Sequence, residues 1–470
     1  MSRDSNERKR LGLYVHVPFC VTKCRYCGFF SECLGGIPHE ETGDWSQETV
    51  GREEAKGRVG AVIDAMMREM EGYELSRVDT VYVGGGSPSA ILEGELARLL
   101  EYLQKGVRPR EEKGSDPLWE FTVEVNPGQV ALERLRRMRG LGVNRLSMGA
   151  QSFDDGELAF LGRRHKASDV KRCVKEAREA GFENVSVDLI FAIPGQGMDS
   201  WKRTLDEAVR LGLEHISAYA LTYEEGTPLH AAREKGAVVP VDEELDRAMY
   251  EMAIDTLKAA GYEHYEISSF ARPGFECRHN LKYWANDEYV GIGPSAASWY
   301  GGVRWTNIAS IDGYIAGTQE PHHRGTEDTQ RISDADKSEG RNHIAQASGS
   351  RTSRQAHSDG YDGGHGEEER HPGGEGRRGN TMQRVRVDEY RPSVKEMACE
   401  TAVLNLRRIK GIELGEYKRR TGFDAMELFG EVMRRQVAAG MLKVEAGRMF
   451  LTREALPVAD SVLCEFASVK

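Results

Sequence analysis

Three cysteines fall within eight residues near the start of the chain, in Cys20-Val21-Thr22-Lys23-Cys24-Arg25-Tyr26-Cys27, directly after the strand-like run LGLYVHV. That placement puts three thiolates in one tight loop. A cubane iron–sulfur cluster normally takes four cysteines, one per iron, so three leave one iron open to another ligand. A molecule with an amino group beside a carboxylate can chelate that iron. The alternative is a structural zinc site, which wants four ligands and would need Cys33 or His16 to complete the set.

Further polar residues recur where other strands should end. Gly84-Gly85-Gly86-Ser87-Pro88 follows TVYV, and its missing side chains would let the backbone approach a ligand. Glu124, Gln151, Arg163 and Asp188 sit near successive strand ends. Asp188 lies inside the apolar run VSVDLIF, where a lone carboxylate is costly unless it is paired or bound to something such as a ribose diol or an ammonium. A structural ion pair would account equally well for each of these residues taken singly.

The elements that must position them follow from the hydrophobic pattern. Residues 11 to about 225 alternate short β-branched runs with longer amphipathic stretches, as parallel βα units do. The runs 13–17, 80–83, 121–125, 145–149, 185–191 and 215–222 are expected strands, and 57–74, 91–105, 131–140, 168–180 and 199–211 are expected helices. Six such units predict an α/β fold, an incomplete (β/α)6 barrel with its reactive loops at the C-terminal strand ends. A helix at 243–260, a strand at 262–268 and a polar, aromatic loop at 277–284 should extend the barrel unit to residue 320. Residues 321–388 contain no Leu, Phe, Trp or Cys, so they cannot offset their ordering entropy and are expected to be a disordered insertion. Its six scattered histidines show no ligand spacing. Residues 389–470 are expected to be a small C-terminal α+β domain of winged-helix-like type, with a hairpin around Ala446 and Gly447.

The chain has 470 residues and a formal charge of −11, which argues against a protein that grips nucleic acid. Its polar start and lack of a long apolar segment predict a cytoplasmic protein, where clustered cysteines read as metal ligands rather than disulfides.

These phrases, taken together, resemble the radical S-adenosylmethionine (SAM) superfamily. Within it, LYVHVPFCVTKCRYCGFF, VYVGGGSPS, VNRLSMGAQSFDDGELAFLGRRH, VDLIFAIPGQ and YWANDEYVGIGPSA resemble the oxygen-independent coproporphyrinogen III oxidase family and its heme-chaperone branch, HemW. The resemblance covers about 11–315 and 393 to the end. It implies a [4Fe–4S] cluster on Cys20, Cys24 and Cys27, and SAM contacts at Tyr14, Tyr26, Gly85, Gly86, Ser87, Glu124, Gln151, Arg163 and Asp188. The oxidase carries a further cysteine two residues after the third ligand; here that residue is Phe29, which breaks the oxidase motif. The chaperone branch carries H-N-x-x-Y-W, matched by His279, Asn280, Tyr283 and Trp284. Imidazole can ligate iron and flat rings can stack on a macrocycle, so this segment implies heme; a hydrogen-bonded histidine in an aromatic cluster is the other reading. The implied function is a heme chaperone that passes heme to a membrane-bound respiratory apoprotein. The alternative is radical oxidative decarboxylation of porphyrinogen propionates. A transient contact with a membrane protein goes with the first, and a homodimer is left open.

Overall fold

The computed structural model describes residues 10–34, 49–107, 119–319 and 384–469. Six parallel strands run side by side in chain order: β1 (Leu11–Val17), β2 (Val78–Gly85), β3 (Glu120–Val125), β4 (Arg145–Gln151), β5 (Asn184–Phe191) and β6 (His215–Ala220). All six are the strands the hydrophobic pattern predicts.

The strands alternate in an unusual sense. Residues such as Val81, Val83, Phe121, Val123, Leu146, Met148, Val185, Val187 and Ile216 are buried in the main apolar core. The intervening residues, Tyr82, Glu124, Arg145, Ser147, Asp188, Ser217 and Tyr219, line a cavity instead. A period of two therefore sorts apolar side chains to one face and polar ones to the other, so that second face lines a cavity rather than a packed core.

The sheet continues past both edges of this unit to twelve strands. Beyond β1 come Tyr289–Ile292, which is parallel to it, and then the antiparallel strands Ala297–Tyr300, Val303–Asn307 and Arg386–Tyr390. Beyond β6 lie Ser269–Ala271 and Glu263–Glu266.

Two expectations need correction. Residues 277–284 are not a loop: Arg278–Ala285 is an α-helix. Its stability is non-local, because the Glu120 carboxylate at the start of β3 accepts the backbone N–H groups of Arg278 and His279, both at 2.9 Å. A carboxylate at a helix N-terminus meets both its unpaired donors and its dipole. The expected insertion also ends earlier than residue 388. Its residues up to 383 lie outside the described residues, but Val385 is buried and Arg386–Tyr390 pairs with Val303–Asn307. Five residues of edge strand are too few to change the composition of the stretch they terminate.

The C-terminal residues fold as helices Val394–Leu406, Leu414–Thr421, Ala425–Leu428 and Gly430–Ala438, then the hairpin Leu442–Glu445/Arg448–Leu451, with Ile412–Glu413 as a third strand. Ala446 and Gly447 both have positive φ, the geometry that closes a two-residue hairpin loop. The helix Val394–Leu406 rests on Arg278–Ala285 through Asn405 Nδ2 to the Trp284 carbonyl (3.3 Å), and Asn286 Nδ2 donates to Thr401 Oγ1 (2.9 Å). A final helix, Ala459–Ala467, was not foreseen.

Candidate functional site

The cysteine loop is sewn to the barrel by backbone hydrogen bonds. Cys20 lies opposite Cys33 in a two-residue parallel ladder, Phe19–Cys20 with Glu32–Cys33. The Arg25 N–H donates to the Leu161 carbonyl (3.1 Å), and its carbonyl accepts the Leu229 N–H (2.9 Å). The Gly86 and Ser87 N–H groups donate to the carbonyls of Val17 (2.8 Å) and Phe19 (2.7 Å), so the glycine loop and the cysteine loop share one set of bonds.

Cys20, Cys24 and Cys27 line one end of a cavity of about 730 Å³, and none of them is in a disulfide. Burial pushes the Cys20 thiol up to about 11 and raises that of Cys27, so a thiolate at either position calls for a cation to hold it. A zinc site fits poorly. His16 has both ring nitrogens engaged, with Tyr14 OH (3.0 Å) and the Phe30 carbonyl (2.9 Å). Among the described residues no group of three or more His, Cys, Asp or Glu is placed to hold a single ion.

The glycines have a further reason beside the one the sequence suggests. A Cβ on Gly84 would stand 2.7 Å from Glu124 Cδ, one on Gly85 2.6 Å from His16 Nδ1, and one on Gly86 2.5 Å from the Phe19 carbonyl oxygen. Gly85 also has φ +105°, which side chains disfavour. The space is thus taken by the protein's own neighbours, and Gly85 and Gly86 reach the cavity as backbone.

Tyr26, Ser87, Glu124, Gln151, Arg163 and Asp188 all face the same cavity; Tyr14 does not reach its wall and bonds His16 behind it. Glu124 accepts from Tyr82 OH (2.8 Å) and the Gly85 N–H (3.2 Å). Burial raises it to about 7, and the charge of Asp188 adds to the rise. Asp188 is raised too, chiefly by burial. Arg163 donates to the Gly149 carbonyl (2.7 Å) and to Cys24 Sγ (3.4 Å), while its Nε is buried without a partner. A cation beside a sulfur ligand, with a donor left over and two carboxylates on the same cavity wall, matches a ligand that carries both an anionic and a cationic group.

The segment His279–Trp284 divides. Asn280 and Trp284 are on the cavity wall, and Trp284 Nε1 has no partner there. His279 and Tyr283 are not: His279 bonds Thr80 Oγ1 through Nδ1 (2.9 Å) and Tyr283 OH through Nε2 (2.8 Å), and it stacks on Tyr82. Burial, with the charges of Lys282 and Arg145, lowers its pKa to about 3. Ligation of iron by His279 would require its bond to Tyr283 to open.

Sequence reasoning passed over Asn126, Tyr82 and Arg145, all of which line the chamber. The signal was available. Arg145, Ser147, Gly149 and Gln151 form an every-second-residue row, a polar face on a strand whose other face is apolar.

Two family models match the chain: the Radical SAM superfamily over residues 14–208 and the HemN C-terminal domain over residues 393–458. The heme chaperone HemW of Lactococcus lactis subsp. lactis (strain IL1403) is 34% identical over 302 residues, 64% of this chain and 73% of that protein. The heme chaperone HemW of Escherichia coli (strain K12) is 37% identical over 287 residues, 61% and 69% respectively. Among solved structures, the coproporphyrinogen III oxidase (HemN) of Escherichia coli, a radical SAM enzyme, superposes with a TM-score of 0.68 over 98% of this chain and 90% of that one; at 17% identity this is a likeness of fold. A half-open parallel barrel with three thiols at its rim is a radical SAM protein, and the matched segments put this chain in that superfamily. Within the superfamily it belongs to the heme chaperone HemW family. Membership implies a [4Fe–4S] cluster and SAM as cofactors, and the donor set at the cavity rim fits both.

No helix among the described residues is long and apolar enough to cross a membrane.

Proposed function

We propose that this chain is a heme chaperone. It would carry a [4Fe–4S] cluster on Cys20, Cys24 and Cys27, bind SAM beside it, hold heme in the same chamber, and pass the heme in the cytoplasm to a membrane-bound respiratory apoprotein. One observation carries this reading: a single cavity has the three thiols at one end and Asn280 and Trp284, from the segment that resembles the heme-chaperone branch, on its wall. Its volume of about 730 Å³ is in the range of cofactor sites, ~300–1,000 Å³.

The cluster, when bound, supplies an open iron for the amino and carboxylate groups of SAM and an electron for its cleavage. The chain's own residues do the rest. Arg163, fixed by the Gly149 carbonyl, offers its remaining donor to a carboxylate. Glu124 and Asp188 would accept from the ligand's amino N–H and hydroxyl groups, and Gln151, Ser87 and the backbone of Gly85 and Gly86 close the wall. Tyr26 lies between two of the thiols, where its ring can cover an adenine, and Tyr14 supports His16 from behind. Heme would rest against Trp284 and Asn280, with His279 reaching iron only after exchanging its bond to Tyr283.

The test is anaerobic reconstitution followed by heme titration and a separate coproporphyrinogen decarboxylation assay. Heme binding without decarboxylation is expected. His279→Ala should weaken heme binding about tenfold and change the heme absorbance, as loss of an iron ligand does, while the cluster persists. Robust decarboxylation, with heme binding indifferent to His279, would favour the oxidase instead.

A further inference from the structure

Arg145 opens β4, and its side chain is 2% exposed. It lines the floor of the chamber, yet its Nε and Nη1 are buried with no hydrogen-bond partner. The charge of Glu120 acts on the guanidinium, yet neither Glu120 nor His215 hydrogen-bonds those two nitrogens. His215 bonds Ser186 Oγ (2.8 Å) and Tyr265 OH (2.8 Å), and the Glu120 carboxylate takes the N–H groups of Arg278 and His279. Two buried guanidinium donors without partners carry a desolvation cost that an acceptor on a ligand would relieve. A residue that earns no such bond inside the protein points to one made outside it.

Three features narrow the ligand. The guanidinium is planar and forks onto carboxylates or phosphates. Glu124 and Asp188 line the same chamber and would repel a doubly charged phosphate more than a singly charged carboxylate. Arg145 also lies four residues, about 13 Å of strand, below Gly149, whose carbonyl anchors Arg163 near the thiols. A carboxylate held at the cluster end is therefore met by Arg163, and Arg145 needs another.

We infer that Arg145 is the carboxylate receptor at the floor of the chamber, and that it takes a propionate of the bound porphyrin. This rests on the heme reading above and deepens it: the porphyrin would stand on edge in the barrel, propionate inward, beside Trp284.

The test compares hemin, with two free propionates, with hemin dimethyl ester, which has none, on the reconstituted full-length chain. Wild type should prefer hemin about tenfold or more, the worth of a charge-assisted hydrogen bond. Arg145→Met should bring hemin down to the affinity of the ester and leave the ester unchanged. Arg145→Gln, closer in shape and still polar, should do the same; it carries the test if the Met variant fails to load its cluster. A preference for hemin retained in either loaded variant, or no preference in wild type, overturns the inference while heme binding stands. Binding of neither porphyrin by wild type overturns the heme reading itself, and the Arg145 assignment with it.

Discussion

At the scale of single residues, the cluster assignment turns on which thiols face the chamber. Cys33 is in register with Cys20 across a two-residue ladder but is exposed, whereas Cys20, Cys24 and Cys27 line the cavity. Sequence distance alone could not separate these roles, because Cys33 lies only six residues past Cys27. Reconstituted protein should carry about four irons and four sulfides per chain. Cys24→Ala should abolish the cluster's visible absorbance, and Cys33→Ala should leave it in place; loss in the Cys33 variant alone would move the ligand set. His279 shows the opposite limit. The motif around it stands out in sequence, yet only coordinates reveal that both nitrogens are bonded, because its partner Thr80 lies 199 residues away.

At the scale of elements, the helix Arg278–Ala285 depends on a cap from another strand. Glu120→Ala removes the acceptor for two N–H groups and should lower stability by about 1–2 kcal/mol, read as a shift in the urea midpoint with an unchanged slope. An unaltered midpoint would mean that packing of His279 on Tyr82 and of Trp284 against Arg407 holds the helix alone. A second contact of this kind joins the helix Thr49–Met70 to the strands beyond β1. Glu69 there accepts from Asn307 Nδ2 (2.8 Å), the Gly293 N–H (3.0 Å) and Tyr314 OH, and burial raises its pKa from 4.5 to about 7. Below about pH 4.5 both folded and unfolded chains hold this proton. Between about 4.5 and 7 the unfolded chain releases it first, so stability falls as pH rises, and above 7 there is no further change. Glu69→Gln lacks that loss. Its stability relative to wild type should climb by up to about 3 kcal/mol across the window and then level, whatever constant offset the amide adds; a pH-independent difference would contradict the raised pKa. These contacts also mark where reading the sequence stops. The six strands were legible because short apolar runs alternate with longer amphipathic stretches, but a helix capped by residue 120 and an insertion ending at a paired edge strand leave no local pattern. Arg145 was legible in principle, through its alternation with Ser147 and Gly149, and was overlooked because a charge at a strand's first residue reads as a boundary.

At the scale of the whole molecule, the described parts close on one another without the residues between 319 and 384. A Cβ on Gly317 would stand 2.6 Å from Val385 Cγ1, and the Ile308 N–H donates to the Val385 carbonyl (2.8 Å). The ends of the segment therefore emerge side by side, so its length is free to change: closing a loop costs only a slowly rising entropy, about 0.6 kcal/mol per doubling. Removing residues 325–378 leaves enough chain to span so short a gap and takes away no Leu, Phe, Trp or Cys. Cluster loading, SAM binding and heme binding should be unchanged, and the melting temperature should stay within about 2 °C of wild type. The boundary matters as much as the deletion. Extending it through Tyr390 removes buried Val385 and the edge strand Arg386–Tyr390 that covers Val303–Asn307, and with the strand goes Arg386, whose guanidinium lies 3.9 Å from the Trp305 ring centroid. That longer deletion should melt several degrees lower and expose an unpaired edge to aggregation. A large drop in melting temperature for the shorter deletion would show that residues 325–378 pack on the barrel; equal behaviour of the two would show that the edge strand adds nothing to it.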